Sequence, residues 1–215
     1  MISMRTLAIG EKFSTSSSLF VSVKSKGDSI TFRIAQDPVY IGKHFISKEN
    51  GWDVFDCPRI NDPEGGNTCE YCEHYFDIMN TANQAKESDK DAYEDLKKEA
   101  RKYQVAIQFY FPILNRDNGK FQVLKTTLGV KNKLDEFHAS GINVFESDWI
   151  LRNTGSKSPR DLYSLVRKDS SEVEPLSDVE KEEYEKALAF NLMSISENVV
   201  KHDPEVEEIE EVFSK

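Results

Sequence analysis

Three cysteines and one histidine share one stretch of the chain, in the pattern His44-x12-Cys57-x11-Cys69-x2-Cys72. The Cys-x2-Cys pair is a tight chelating loop, because two thiolates so close in sequence can reach the same tetrahedral ion. A third thiolate and an imidazole complete a closed Cys3His set, which is typical of structural zinc. The intervening loop is rich in proline and glycine, so metal binding would order it. We therefore predict one structural Zn2+ ion held by His44, Cys57, Cys69 and Cys72.

The sequence leaves the fourth ligand open between His44 and His74. His44 is favoured, because His74 lies only two residues after Cys72 and the chain would have to double back. Three cysteines make a poor disulfide framework and fit a reducing compartment.

Patterns of metal-dependent and nucleotide-dependent catalysis are absent from the sequence. No histidine is followed by x-Glu, and Thr68 rather than proline precedes Cys69, so the zinc-deaminase signature is missing. His-Glu-x-x-His, the P-loop and Gly-x-Gly-x-x-Gly are missing too. Because three cysteines and one histidine leave no open metal position, we expect a binding protein and not an enzyme.

Charge is distributed unevenly along the chain, although the net charge is −10. Residues 97–168 contain 14 basic and 7 acidic side chains, whereas residues 203–215 contain six acidic side chains and one lysine. Residues 172–186 are also acidic. A basic middle suits a phosphate backbone, and the acidic end indicates a separate role.

Aromatic and basic residues occur together in this basic middle and around the cysteines. Proteins that bind single strands use cations to follow the phosphates and exposed rings to stack on bases. The candidate DNA contacts are Tyr40, Lys43, Trp52, Arg101, Lys102, Tyr103, Tyr110, Lys120, Lys125, Trp149, Arg152, Lys157, Arg160 and Tyr163. The alternative function is a zinc-ribbon module for protein interaction or transcription.

Alternating apolar residues predict a mainly β (α+β) fold. The predicted strand pairs are a hairpin over residues 14–35, a hairpin around residues 49–51, strands over 105–114 and 120–128, and a pair over 148–152 and 161–166. The predicted helices are residues 77–102, 130–139 and 177–194, the last beginning with a Ser177–Glu180 capping box.

The segment from His44-Phe45 through Gly51-Trp52 to Cys57 resembles the zinc-containing single-stranded-DNA-binding (helix-destabilising) proteins of tailed bacteriophages. Ala100-Arg101-Lys102-Tyr103, Gly119-Lys120-Phe121 and Trp149 to Gly155 with Tyr163 are similar as well, as is the acidic C-terminus.

The resemblance implies a five-stranded OB-fold barrel over residues 19–170, with peripheral helices. A zinc subdomain would be inserted at about residues 40–76 and a helix at about 77–102. Residues 1–18 would be an arm, 171–200 a helical segment and 201–215 a disordered acidic tail.

The same resemblance implies sequence-independent coating of single-stranded DNA in replication, recombination and repair. The partners would be a polymerase, helicase loader or recombinase, recruited through the tail. The expected location is the cytoplasm of a bacterial host, without membrane contact, because no apolar run approaches the roughly 20 residues that span a bilayer.

Overall fold

The computed structural model describes residues 19–49, 51–62, 64–158 and 161–192. The strands are β1 (Phe20–Val21), β2 (Ser29–Ile34), β3 (Val39–Lys48), β4 (Gly51–Asp56), β5 (Val105–Asn115), β6 (Lys120–Thr127), β7 (Asp148–Asn153) and β8 (Tyr163–Arg167). The helices are α1 (Pro58–Asn61), α2 (Glu70–Ala85), α3 (Lys90–Ala100), α4 (Leu128–Ala139) and α5 (Asp178–Leu188). Single 3-10 turns occupy Arg101–Tyr103 and Ser170–Glu172. The predicted arm, residues 1–18, and the tail, residues 201–215, lie outside the described residues.

The eight strands form one mixed sheet, so the chain is an α+β protein. The main path runs β1-β6-β5-β2-β7-β8, and β3 joins through β5 and carries β4 at its other edge. The first part of the long strand β5 pairs with β3, and its last residues pair with β2. One sheet therefore continues from the central strands out to the β3–β4 hairpin.

Three of the predicted strand pairs are hairpins in the structure, namely β3–β4, β5–β6 and β7–β8. The predicted hairpin over residues 14–35 is wrong, because β1 pairs in parallel with β6 and places Phe20 beside Val123. Residues between β1 and β2 are instead fastened to β7. Gly27 donates to the carbonyl of Asn153 (2.9 Å), and the Asn153 N–H donates to Asp28 (3.0 Å).

The single helix predicted over residues 77–102 is two helices that differ from the prediction at both ends. The first, α2, already begins at Glu70, inside the cysteine region. Asp89 then starts α3 as its N-cap, because its carboxylate accepts the N–H of Ala92. At the end of the described chain, the Ser177–Glu180 capping box is present, but α5 ends at Leu188 and not near residue 194.

Two apolar clusters lie on opposite faces of the sheet. The larger one is formed by alternate residues of β2, β5 and β7 and by α4, with Trp149, Ile113 and Val130 almost fully buried. The second contains Ile41, Tyr110 and Val123. Phe190 and Leu192, which follow α5, pack against this second cluster. Successive side chains of a strand point to opposite faces of the sheet, so the same strands contribute apolar residues to both clusters.

Polar contacts hold α5 against the sheet. The guanidinium of Arg116 donates to Glu180 at 2.6 Å, and the Glu183 carboxylate accepts the backbone N–H of Phe121 at 2.9 Å. The Gln36 amide donates to the carbonyls of Ala187 and Leu188, both at 2.7 Å, and so satisfies the end of the helix.

Candidate metal centre and the adjoining sheet face

Three local structures bring the four predicted ligands to one point. His44 lies in β3, opposite Phe55 of β4, and Cys57 follows that strand as the N-cap residue of α1. Cys69 is the N-cap residue of α2, and Cys72 lies in its first turn. The β3–β4 hairpin therefore sets the spacing between His44 and Cys57, and the helix start brings the two remaining cysteines onto one side.

The ligand atoms of His44, Cys57, Cys69 and Cys72 all lie within 4.8 Å of one another, and all four residues are buried. The Cys57 and Cys72 sulfurs are 3.5 Å apart, and the His44 Nε2 atom lies 3.3 Å from Cys69 Sγ and 3.6 Å from Cys72 Sγ. Metal–ligand bonds of about 2.3 Å (sulfur) and about 2.0–2.1 Å (nitrogen) in a tetrahedron require about 3.8 Å between sulfurs and about 3.6 Å between sulfur and nitrogen. The cluster therefore could hold one metal ion.

A hydrogen bond at Nδ1 fixes the orientation of the His44 ring. Its Nδ1 atom lies 2.9 Å from the carbonyl oxygen of Tyr103, which selects the tautomer with a proton on Nδ1 and leaves the Nε2 lone pair facing the sulfurs. Burial lowers the pKa of His44, and the hydrogen bond to Tyr103 only partly offsets this. The imidazole is therefore favoured in its neutral, metal-binding form.

Crowding of the thiols also favours a cation. Burial, together with the hydrogen bond shared with Cys57 and the charges of the neighbouring cysteines, raises the pKa of Cys72 to about 12. A divalent ion reverses this preference, because it stabilises thiolates directly. The chemistry of the donor set thus fits a metal ion.

His74, the competing ligand, is exposed and lies outside the group. Its ring contacts Tyr103 edge to face, with the centroids 4.3 Å apart. Because Tyr103 also fixes His44, both histidines touch the same residue, but only His44 reaches the sulfurs.

Two residues that the sequence reasoning missed order the loop between Cys57 and Cys69. The Asp62 carboxylate accepts the backbone N–H groups of Glu64, Gly66 and Asn67. These hydrogen bonds lower the pKa of Asp62. The Asn61 amide bonds both backbone groups of Gly42. An Asn-Asp pair before Pro and Gly is a turn signal that could have indicated such side-chain bonds.

Four of the predicted DNA contacts share one face of the sheet. Tyr110 of β5 pairs with Lys125 of β6, and Lys43 of β3 pairs with Ala106 of β5. Ala106, Gln108 and Tyr110 are alternate residues of β5, so their side chains lie on one face. Trp52 lies on the same face, because it pairs with Ser47, which is four residues after Lys43 on β3. Side chains directly opposite each other, and alternate side chains along a strand, point to the same side. We call the surface of Lys43, Trp52, Tyr110 and Lys125 the Lys43 face.

Access to this face differs along its length. The Trp52 side chain is 50% exposed, whereas Tyr110 is 1% exposed. Phe20 meets the Tyr110 ring edge to face, and Phe190 and Leu192 lie on the same cluster. Lys43 is buried as well. In this structure Tyr110 is therefore a core residue, and only the hairpin end of the face presents an open aromatic ring.

Trp149 is fully buried, and its indole N–H donates to the carbonyl of Val144 at 2.9 Å. A base cannot reach this ring, so the expectation of a DNA contact at Trp149 does not agree with its position in the core. Tyr40 is 55% exposed but lies on the opposite side of β3 from Lys43, with its ring 6.0 Å from that of Phe109.

The remaining candidates are distributed around the sheet. Arg101, Lys102 and Tyr103 form the 3-10 turn behind His44, with Lys102 paired to Glu99. Lys120, Arg152 and Lys157 are exposed, Tyr163 is partly buried, and Arg160 lies outside the described residues. By register Arg152 shares the Tyr110 side of the sheet, but it lies on β7, beyond β2. The structure thus groups the four metal ligands, but it spreads the candidate DNA contacts over several surfaces.

Compared with known protein families and with curated proteins, the chain has no match. Within the described ranges, none of the helices combines the length and the apolar character needed to cross a membrane.

Proposed function

We propose that the protein binds single-stranded DNA without sequence specificity, holds one structural zinc ion, and catalyses no reaction. The observation that carries this proposal is the hairpin end of the Lys43 face, where the half-exposed ring of Trp52 lies on the same side of the sheet as Lys43 and Lys125. Cations attract a phosphate backbone, and an exposed ring supplies sequence-tolerant stacking of about 1–3 kcal/mol per base.

Zinc is proposed as the metal because three thiolates and one imidazole are the ligands it favours in closed tetrahedral sites. Such a site leaves no position for a reacting water, which supports a structural role. The ion would fasten the β3–β4 hairpin, and with it Trp52, to the start of α2, where Cys69 and Cys72 lie.

An OB-type barrel is the fold we propose for the central strands. The path β6-β5-β2-β7-β8 runs through five strands, and α4 connects β6 to β7. This helix contacts β5, β6 and β8, so it bridges the two ends of the path. OB-folds commonly bind single strands on an outer sheet face.

Phe190 and Leu192 cover the Tyr110 end of the Lys43 face. Bound DNA would therefore use the Trp52 end first, and would reach Tyr110 only if this segment moved. The acidic residues 203–215 follow the same segment, so we propose that they compete with DNA and, once displaced, recruit replication proteins. The setting would be DNA replication, recombination and repair of a phage type, in the cytoplasm of a bacterial host.

A fluorescence titration with oligo(dT) tests the proposal. We expect binding to weaken at least tenfold between about 50 mM and about 200 mM salt, with little difference among base compositions. Trp52→Ala should cost about 1–3 kcal/mol of binding free energy. Lys125→Ala should reduce the salt slope by about one.

The matched control is Lys98→Ala, an exposed lysine on α3. It should leave both affinity and salt slope near the wild-type values. If the folded wild type ignores oligo(dT) at low salt, the proposal fails, and the alternative of a zinc-ribbon module that binds a protein partner is favoured.

A further inference from the structure

Gly42 of β3 is hydrogen-bonded, on the side away from β5, by helix α1 and by the metal ligand Cys57 that precedes this helix. Its N–H donates to Asn61 Oδ1 at 2.7 Å, and its carbonyl accepts from Asn61 Nδ2 at 3.1 Å. The same carbonyl accepts the backbone N–H of Cys57 at 2.8 Å. One residue of the strand is thus bonded by both ends of the short helix α1.

The Asn61 side chain substitutes for a strand. The β3–β4 ladder ends where Lys43 pairs with Asp56, so the next position along β3 has no backbone partner from β4. A side-chain amide offers one donor and one acceptor, as a peptide group does, and Asn61 uses both. Gly42 is buried, so without Asn61 its N–H would lose its hydrogen-bond partner away from water, while its carbonyl would keep the bond from Cys57.

Van der Waals contact reinforces the clamp. A Cβ atom at position 42 would lie 2.6 Å from the Cβ and Cγ2 atoms of Ile60, so only glycine lets α1 approach this closely. Ile60 in turn forms a wall of an open cavity of about 550 Å³, together with Tyr40 and Phe109. The position of α1 therefore sets both the end of the ladder and the shape of this cavity.

We propose that Asn61 is a positioning residue through which metal binding at Cys57 orders strand β3. Metal binding orders Cys57, and therefore α1, which seats Asn61 on Gly42 and Ile60 against the strand. Loss of the metal frees the start of α1 and withdraws these contacts. Strand β3 then loosens between Tyr40 and His44, including Lys43 on the proposed DNA face.

The inference rests on the metal-binding part of the proposed function and not on DNA binding. Hydrogen exchange of the β3 segment, residues 39–48, provides a readout without DNA. In the wild type, removal of zinc by a chelator should speed exchange in this segment by about tenfold or more.

Asn61→Leu keeps the size of the side chain but removes both hydrogen bonds. With zinc saturating and still bound at one ion per chain, its β3 segment should exchange faster than that of the zinc-loaded wild type. Chelation should then add less than it adds in the wild type, because only the direct bond from His44 to the metal remains to be lost. Gly42→Ala, which pushes Ile60 away and leaves Asn61 intact, should behave in the same way. Asn67→Leu, an exposed asparagine in the same loop, is the control and should respond to chelation as the wild type does.

Two results would overturn the inference. They are a wild-type β3 segment that ignores chelation, and Asn61→Leu and Gly42→Ala variants that respond to chelation as strongly as the wild type. Oligo(dT) affinity, measured on the same samples, separates the two proposals: a wild type that shows the coupling but binds no DNA contradicts only the DNA function.

Discussion

The carboxylate of Asp148 accepts a hydrogen bond from the guanidinium of Arg116 at 3.1 Å, in a site where the Asp148 side chain is 1% exposed. Its other oxygen accepts from Arg33 at 2.7 Å, and Arg116 continues to Glu180 at 2.6 Å. One buried carboxylate therefore joins β2 and β7 to the arginine that holds α5.

Removal of this carboxylate should destabilise the fold strongly. Asp148→Asn keeps the shape but leaves two largely buried arginines without their shared charge, which should cost about 3 kcal/mol. For a chain of this size that loss lowers the melting temperature by about 6–12 °C. Asp178→Asn, where the aspartate side chain is 95% exposed and pairs with Lys181, should change stability by under about 1 kcal/mol. Equal melting temperatures for the two variants would contradict the assignment.

Attachment of α5 should depend on pH through Glu180. Burial alone would raise the pKa of Glu180, but hydrogen bonds from Ser177 and the charge of Arg116 outweigh it and hold the pKa below its ordinary value. A carboxylate whose pKa is lowered by folding stabilises the folded state at pH values above its pKa in the unfolded chain, about 4.3. This stabilisation is lost as the pH falls through the pKa in the folded protein.

Glu180→Gln should therefore destabilise the protein by about 1–2 kcal/mol at pH 7, and the difference from the wild type should shrink towards pH 3. Thermal unfolding of both proteins across this range measures it. Glu182→Gln, at an exposed position of α5, provides the control. A difference that stays constant with pH would show that the ionised carboxylate is not responsible.

The two tryptophans should report differently on DNA. Trp52 is 50% exposed on the Lys43 face, whereas Trp149 is fully buried. Stacking on Trp52 should quench its emission on oligo(dT) addition, so Trp149→Phe should retain most of the quench and Trp52→Phe should lose it. The opposite pattern would place the bound strand away from the β3–β4 hairpin.

Deletion of residues 203–215 should tighten binding of single-stranded DNA at low salt, because it removes six acidic side chains that we propose compete for the basic surface. The gain should shrink as salt screens the competition. Titrations of the full chain and the truncated chain at two salt concentrations measure this effect, and equal affinities at low salt would indicate a tail with no such role.

Local chemistry in the sequence was sufficient to predict the metal cluster. Ligand spacing restricts Cys69 and Cys72 to one ion, and the turn before Gly51 brings His44 near Cys57. The choice between His44 and His74 needed the fold, which brings His44 to the sulfurs and leaves His74 outside the group.

Long-range packing was not readable in the same way. The parallel pairing of Phe20 with Val123 joins distant parts of the chain, and a turn at Gly27 looks the same whether or not it closes a hairpin. Alternation in β5 showed that one face is core, but Tyr110 is buried on the other face because Phe190 arrives there from beyond α5. The side-chain clamp of Asn61 likewise depends on contacts that no local pattern encodes.

The measurement that tests the account most directly is the zinc content of the purified wild type, His44→Ala, Cys72→Ser and His74→Ala proteins. We predict one zinc ion per chain in the wild type and in His74→Ala, and loss of that ion in the other two. A wild type without metal, or zinc retained in His44→Ala but lost from His74→Ala, would contradict the metal centre on which the proposed function depends.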